Sequence, residues 1–428
     1  MILHPRLRAR EARNVFRQAR TLALAERLDS RPLEYLKARQ FRLLRWILNY
    51  AYDNIPLYRS NFDRAGVRPG DMRSLDDLEK VPILTKEQIL SSYPEGIVAP
   101  GYGPATSFRC SSSGTSGVKG EYLSDRKTRD ETWALLFRVR AKFGYRPWHK
   151  EGVFSFIPHK RKWFENLGYM RKFDISMGKP LPEVVEDVER INPDIIWGVP
   201  TYIHYLISEQ EDIRASPKFV LCSGEYLAPV ERMDIEDRFG CPVVNFYGCA
   251  EAPFISTECQ LHEGQHVNML NALVEVSRDG VQLGPGEVGD VLVTTLTNTA
   301  MPLIRYNTGD AATMSPDECS CGRHGDMLAT LEGRRDDFLM TPAGRIPPMM
   351  ALVAVAQPEV KGYRIVQEAM NRLVVDLKGD TIDDGTRATI AGRLGEVLKN
   401  PDLEVEFRMV SDIRPEPSGK RRVVICNA

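Results

Sequence analysis

The sequence predicts an α/β protein: a large amino-terminal domain with mostly parallel sheets and a β-rich subdomain, then a small α+β carboxy-terminal domain. Three observations predict it. Between residues 152 and 248, strand-like apolar runs alternate with helical segments, and glycine recurs at strand ends, the pattern of a parallel sheet. From Ala272 to Asp310 short β-type runs with Gly-Pro turns dominate. Residues 335–428 repeat strand, helix and strand on a smaller scale. A chain of 428 residues exceeds one compact core, so two or three domains are expected.

The elements follow in order. In Glu34–Leu48 apolar residues recur at spacings of three and four, which predicts a helix. Pro56, Pro69 and Pro82 punctuate the loops and short helices that follow. Thr85 with Gln88 forms a capping-box pattern for a helix over Lys86–Ser92. Strands are predicted at Gly152–Ile157, Asp194–Val199, Phe219–Gly224 and Val243–Gly248, with helices at Pro182–Arg190, Thr201–Gln210 and Pro229–Phe239. Ligands of such sheets bind beyond the carboxyl ends of the strands. Near the end, Tyr363–Leu377 reads as strands, Asp383–Leu398 as a helix and Leu403–Met409 as a strand.

Composition narrows the function classes. The chain is 43% hydrophobic and 27% charged, as globular proteins are. Its 57 basic and 58 acidic residues leave no general attraction to nucleic acid. The first residues are basic without the apolar run of a signal peptide, and no apolar window is long enough to span a bilayer. The expectation is a cytoplasmic protein with neither nucleic acid nor membrane as partner. Eight cysteines in this length are not a disulfide framework.

Chemistry concentrates in Arg109-Cys110-Ser111-Ser112-Ser113-Gly114-Thr115-Ser116-Gly117-Val118-Lys119-Gly120. Glycine lets backbone N–H groups approach an anion, and the hydroxyls add donors, so the loop suits a phosphate. Its spacing is not that of a P-loop. Further on come Cys222-Ser223-Gly224-Glu225, Tyr247-Gly248-Cys249-Ala250-Glu251, Arg305-Tyr306-Asn307-Thr308-Gly309-Asp310 and Gly333-Arg334-Arg335-Asp336-Asp337. In this order the five motifs resemble those of the adenylate-forming superfamily. Ala51-Tyr52-Asp53-Asn54-Ile55-Pro56-Leu57-Tyr58-Arg59 and Val81-Pro82-Ile83-Leu84-Thr85-Lys86 resemble its phenylacetate-CoA ligase branch, and within it the capsular-polysaccharide-type subgroup. The resemblance covers nearly the whole chain.

The resemblance implies a nucleotide site. Ser112, Ser113, Gly114, Thr115, Ser116 and Gly117 would meet the ATP phosphates, with Thr115 acting in catalysis. Ser223, Gly224 and Glu225 would lie by the adenine, with Phe246, Tyr247 and Gly248, Tyr247 stacking on the base. Asp310 would accept both ribose hydroxyls, and Arg334 would reach ribose or phosphate. Glu251 would help hold Mg²⁺, and Lys420 of Pro417-Ser418-Gly419-Lys420 would neutralise charge during adenylation. Residues 1–334 would form the adenylation domain, and 335–428 a mobile domain rotating at a hinge, Asp336. Trp197, Gly198, Val199 and Tyr202 would line the acyl pocket. There are departures: Val118 stands at the usual lysine place with Lys119 one later, and Ala250 replaces the usual hydroxyl residue.

A second metal is also expected. Cys319 and Cys321 form a Cys-x-Cys pair, and Cys259 with His266 completes a soft four-ligand set for structural Zn²⁺. Some relatives carry Cys and His at these places; His262 and His324 are rival ligands. Cys110, Cys222, Cys241 and Cys426 lack such spacing, and most of them read as small buried hydrophobes.

The implied activity is ATP-dependent conversion of a carboxylic acid to acyl-AMP, followed by transfer to an acceptor, with coenzyme A first among the candidates. Aromatic pocket walls without an evident counter-charge point to an aryl or other apolar acid. An amide-forming ligase and a non-catalytic nucleotide-binding zinc protein remain alternatives, and because the branch often dimerises a homodimer stays open.

Overall fold

A computed structural model describes residues 5–111, 120–155, 158–210, 212–334, 338–342, 344–346, 348–355, 357, 359–360, 362–379, 382–411, 413 and 423–428. Two compact units result. Met1–Gly144 and Phe246–Leu331 form the first; Tyr145–Asn245 and Glu332–Ala428 form the second.

The first unit opens with helices α1 (Pro5–Asp29), α2 (Leu33–Asn54), α3 (Pro56–Ala65) and α4 (Lys86–Ser92). The α2 periodicity is realised: Leu36, Leu44, Ile47 and Leu48 are buried along one face. Helix α4 has the expected capping box. The Gln88 N–H donates to Thr85 Oγ1 at 3.3 Å, and the Thr85 N–H donates to Gln88 Oε1 at 3.0 Å. Strands β1 (Phe108–Ser111) and β2 (Glu121–Ser124) pair antiparallel on either side of the Ser/Gly loop. Helix α5 (Arg126–Lys142) follows, capped by Asp125, whose Oδ1 accepts the Thr128 N–H at 2.9 Å. It buries Asp130, Glu131, Arg138 and Arg140 beside Ala134 and Leu135, which hides the apolar period from a sequence reading.

The second unit takes over with β3 (Lys150–Ser155), β4 (Arg171–Ser176), α6 (Leu181–Ile191), β5 (Ile195–Gly198), α7 (Pro200–Glu209), β6 (Phe219–Ser223), α8 (Pro229–Phe239) and β7 (Val243–Tyr247). The strand order β6-β5-β3-β4 is parallel in each paired register, as the alternation predicts. Strand β4 was not marked in the sequence; it is a short edge strand with mixed polarity. Helices α6, α7 and α8 bury Val184, Val188, Ile203, Leu206 and Ile235 against Ile196 and Val220 of the sheet.

The chain returns to the first unit within β7. Strands β8 (Ser256–Glu258), β9 (Gln265–Val267), β10 (Ala272–Arg278), β11 (Val281–Gln282), β12 (Val288–Thr295), β13 (Tyr306–Met314) and β14 (Met327–Arg334) make the predicted β-rich region. Their order is β11-β10-β12-β13-β14-β9-β8. The second unit then resumes with β15 (Leu339–Thr341), β16 (Gly344–Ile346), α9 (Pro348–Val355), β17 (Gly362–Ala369), β18 (Arg372–Lys378), α10 (Asp384–Leu398), β19 (Glu404–Met409) and β20 (Val424–Cys426). Strands β19-β18-β17-β20 form one sheet, over which Leu352, Ile390 and Leu394 pack with Ile365 and Val375. The second unit thus joins Glu332–Ala428 with Tyr145–Asn245. Among the described residues no helix is long and apolar enough to cross a membrane.

One side chain organises the first unit. Arg305 is buried, and its five N–H donors are all engaged. Nε donates to Glu275 Oε1 at 3.1 Å, Nη1 to the carbonyls of Glu79 at 3.0 Å and Val81 at 2.8 Å, and Nη2 to that of Gly280 at 2.7 Å. Nη2 also lies 3.0 Å from Glu275 Oε1. The backbone of Leu84 bridges Arg305 and Asn307, accepting from one and donating to the other at 3.0 Å each. The Val81–Lys86 motif is thus the partner that holds the start of β13.

Replacing Arg305 by Met leaves Glu275 as an uncompensated buried charge, so urea denaturation should show a loss of about 3–5 kcal/mol. The double change Arg305→Met with Glu275→Leu should recover part of that loss. A double variant no better than the single one would mean that the carbonyl contacts, not the ion pair, carry the effect.

Candidate active site and metal centre

The nucleotide motifs fall in both units. In the first, β7 ends at Tyr247 and the chain turns at once. A Cβ on Gly248 would sit 2.5 Å from the Pro253 carbonyl oxygen, so only glycine fits. The Cys249 N–H donates to the Ala252 carbonyl at 3.0 Å, and the Ile255 N–H to that of Tyr247 at 2.9 Å. Glu251 is thereby folded back toward β13, where the Tyr306 hydroxyl donates to its Oε1 at 3.1 Å.

The Tyr247 hydroxyl donates to Asp310 Oδ2 at 2.8 Å and lies 3.1 Å from Thr308 Oγ1. Strand β13 is irregular here. Asn307 pairs with Leu292 and Ala311 with Asp290, so Val291 alone faces the stretch Thr308–Asp310. Such a bulge re-aims side chains. Gly309, at φ 78°, makes it possible, and its N–H donates to Asn307 Oδ1 at 2.9 Å. Asp310 and Glu251 are therefore each oriented by a tyrosine. Tyr306 and Thr308 were not singled out in the sequence; their signal was membership of the motif that ends at Asp310.

In the second unit, Gly224 takes φ 86° directly after β6, as the Ser-Gly-Glu turn requires. The Trp197 Nε1–H donates to Ser223 Oγ at 3.1 Å, and Thr201 Oγ1 donates to Glu225 Oε2. The expected pocket wall and the expected adenine turn are thus joined across β5 and β6. Gly198 packs tightly: a Cβ would meet that of Phe154 at 3.1 Å. Val199 precedes α7 and is half-buried. Tyr202 is buried in the core under α7, its ring 5.5 Å from that of Phe154. The structure adds a cation that the sequence did not reveal: Lys172 Nζ lies 4.8 Å from the Trp197 ring centroid and 3.8 Å from Glu151 Oε2. Arg334, partly exposed, ends β14. Ser112, Ser113, Gly114, Thr115, Ser116, Gly117, Lys119, Asp336 and Lys420 lie outside the described residues.

The metal set assembles in the first unit. Cys259 follows β8, His266 is in β9, and Cys319 and Cys321 lie between β13 and β14. Met327 of β14 pairs with His266, which brings the two loops together. The four donor atoms lie within 4.8 Å of one another. Cys259 Sγ is 3.5 Å from Cys319 Sγ, and Cys321 Sγ is 3.4 Å from His266 Nε2. A tetrahedron with Zn–S near 2.3 Å has edges of about 3.8 Å, so the set fits a small soft ion. Burial pushes the His266 imidazole down to about 4, with Arg323, Lys142 and Arg138 adding, so it is neutral and able to ligate at pH 7. The rival histidines face elsewhere. His262 Nδ1 meets Glu258 Oε2 at 3.2 Å, and His324 Nδ1 meets Glu318 at 3.2 Å. All eight cysteines are free. Of the five outside the metal set only Cys222 is fully buried; Cys110, Cys241, Cys249 and Cys426 are half-buried, which corrects the reading of Cys110, Cys222, Cys241 and Cys426 as mostly buried.

Burial, then the adjacent Asp310, drives the Tyr247 phenol far above the ordinary tyrosine range; burial and Glu251 do the same to Tyr306. The folded state keeps protons that the unfolded chain loses above about pH 10. Stability is therefore complete below that pH and falls as pH rises beyond it, by at most ~1.4 kcal/mol per pH unit per group. Urea midpoints measured from pH 9 to 11 should fall less steeply for Tyr247→Phe than for the unaltered chain; equal slopes would contradict this environment.

Comparison with known proteins places these motifs. A family model described as AMP-binding enzyme matches residues 166–300. The chain is 31% identical over 360 residues to a phenylacetate-coenzyme A ligase of Thermus thermophilus, covering 79% of this chain and 80% of that one. It is 26% identical over 263 residues to protein CapK of Staphylococcus aureus, covering 58% and 56%. A crystal structure of 2-hydroxyisobutyryl-CoA ligase in the postadenylation state, in complex with R3-HIB-AMP, aligns with a TM-score of 0.81 at 21% identity, over 94% of this chain and 92% of that one. The last likeness shows the fold; the first relative, with the ordered motifs, shows that the chain belongs to the phenylacetate-coenzyme A ligase family of AMP-binding, adenylate-forming enzymes.

Proposed function

We propose that this enzyme joins an aryl or otherwise apolar carboxylic acid to AMP and then to coenzyme A. The observation that carries the reading is the pair of tyrosine-oriented carboxylates, Tyr247–Asp310 and Tyr306–Glu251, set on one strand and one turn. Support comes from the similarity to phenylacetate-coenzyme A ligase.

In the first step a substrate carboxylate oxygen attacks the α-phosphorus of ATP. The bond from that phosphorus to its bridging oxygen breaks, and pyrophosphate leaves with the electron pair. In the second, the coenzyme A sulfur attacks the acyl carbon, the acyl–oxygen bond breaks and AMP departs. The substrates supply nucleophile and leaving group, so the protein contributes orientation and charge. Asp310, already fixed by Tyr247, accepts from the ribose diol, a match for a two-oxygen acceptor. The Tyr247 ring stacks on adenine beside Phe246 and Gly248, with Ser223, Gly224 and Glu225 at its edge and Arg334 toward ribose or phosphate. Glu251 would hold Mg²⁺, whose charge would offset that of the phosphates. Ser112, Ser113, Thr115 and Ser116 would supply hydroxyls to the departing pyrophosphate, and Lys420 would neutralise the α-phosphate. Trp197, Gly198, Val199 and Tyr202 shape the acyl side. Residues 335–428 turn about Asp336 between the steps. Zn²⁺ held by Cys259, His266, Cys319 and Cys321 is structural. The same reading extends to a cytoplasmic location, with a homodimer as one candidate assembly.

Pyrophosphate exchange into ATP, run with a panel of carboxylates, tests the first step, and thioester formation on adding coenzyme A tests the second. Acid-dependent exchange without thioester, but with amide formed from added amines, would favour an amide-forming ligase instead. Absence of exchange with every acid of the panel would favour a non-catalytic nucleotide-binding protein. Asp310→Asn should lower kcat/KM for ATP by roughly 10–100-fold, the value of one or two charged hydrogen bonds. Ser113→Ala or Thr115→Ala should slow adenylation more than Lys119→Ala, because Lys119 stands one place from the family's usual lysine position. Elemental analysis of the purified protein should find ~1 zinc per chain.

A further inference from the structure

Three cations crowd the metal-binding loops, and all three converge on the last residue of α1. Lys142 Nζ lies 2.8 Å from Asp29 Oδ2, Arg138 Nη2 pairs with the same oxygen, and Arg323 Nε lies 3.1 Å from Asp29 Oδ1. Arg138 Nε also meets Glu26 Oε1 at 3.1 Å. The backbone adds two ties. The His324 N–H donates to the Asp29 carbonyl at 3.3 Å, and Gln260 Nε2 donates to the Lys142 carbonyl at 2.6 Å. Both metal-binding loops, one carrying Cys259 and the other Cys319 and Cys321, are thus fastened to the ends of α1 and α5.

Within this ion-pair cluster the cations outnumber the carboxylates. Arg138, Lys142 and Arg323 face the carboxylates of Asp29 and Glu26, three positive against two negative. Side chains of Arg138, Arg323 and Asp29 are at most 18% exposed, so solvent screens the excess poorly. Three thiolates around a divalent ion carry one net negative charge, which closes the sum. Arg323 is within electrostatic reach of all three sulfurs, and all three cations act on His266. Of the other acids on these loops, Glu263 accepts the Ser320 N–H at 2.8 Å from an exposed position, Glu258 faces His262 and Glu318 faces His324.

Helix α1 packs along α5, and the Asp29 cluster closes the end of that packing. Among its described side chains only Thr21, Ala25 and Leu28 are buried, while Phe16 is 71% exposed. Farther along the helix, Arg17 lies 3.4 Å from Asp130 of α5.

We propose that the Asp29 ion-pair cluster is the outer charge shell of the metal centre, so that zinc loading and the docking of helix α1 strengthen one another. The inference rests on the zinc reading above. Coupling of this kind is reciprocal: the factor by which docked α1 tightens metal binding equals the factor by which metal favours docking.

Zinc affinity by competition with a chromophoric chelator, and hydrogen exchange of α1 with and without zinc, test the coupling on the full chain. Lys142→Gln removes a cation from a partly exposed position and should weaken zinc by about tenfold, with Lys142→Arg restoring most of it. Stripping zinc should speed exchange in residues 17–29 of the unaltered chain. In Asp29→Asn, exchange there should already be fast and should no longer respond to zinc. A chain that binds no zinc overturns the metal reading and the coupling together. A chain that binds zinc in the Cys259–Cys321 set, yet shows the same α1 exchange loaded and stripped, overturns the coupling alone.

Discussion

The first unit depends on the burial of one guanidinium. Arg305 has a left-handed backbone, φ 49°, and a side chain that closes three segments onto one point. Its ion pair with Glu275 ties it to β10, its contacts to Glu79 and Val81 tie it to the segment before α4, and that to Gly280 ties it to the β10–β11 turn. A buried charge is tolerated only where every donor is satisfied. Arg305 meets that demand with carbonyls that no single secondary-structure element could supply. The next residue, Tyr306, positions Glu251, and the bulge four residues later presents Asp310 to Tyr247. Correct placement of the carboxylates therefore follows from correct burial of the arginine. This gives the Val81–Lys86 motif a physical role that lies away from the nucleotide.

The metal loops solve a similar problem by another route. The β8–β9 and β13–β14 connections carry few apolar residues, and Cys321 is exposed. A four-donor set and an ion-pair hub stand in for a hydrophobic core there. The Tyr306, Glu251 and Asp310 cluster uses hydrogen bonds in the same way. Both sites keep polar groups partly buried and place their partners on distant segments.

Much of the fold was legible in the sequence, and the reasons are local. Helix α8 occupies the predicted span because Pro229 opens it and Gly240, in the left-handed region, closes it. Helix α4 follows its capping box. Helix α5 was illegible because it buries Asp130, Glu131, Arg138 and Arg140 against partners elsewhere in the first unit, so no apolar stripe marks it. Strand β4 was missed because an edge strand carries a weak apolar signal. The candidate site was legible as a set of residue types: the carboxylates, the glycine turns and the four metal donors all stood out by motif or spacing. Tyr306, Thr308 and Lys172 did not, since their importance lies in what they touch.

By itself, the sequence determined the strand–helix alternation, the helix ends, the motif order and the three cysteines of the candidate metal set. These rest on spacing and on backbone preferences that act within a few residues. Tertiary structure alone decided which histidine joins the cysteines, which tyrosine orients which carboxylate, and that a lysine lies against Trp197. Each of those outcomes depends on hydrogen bonds or ion pairs between residues far apart in the chain, such as Tyr247 with Asp310 and Asp29 with Arg323. Their energy depends on desolvation, which exists only once the segments have packed.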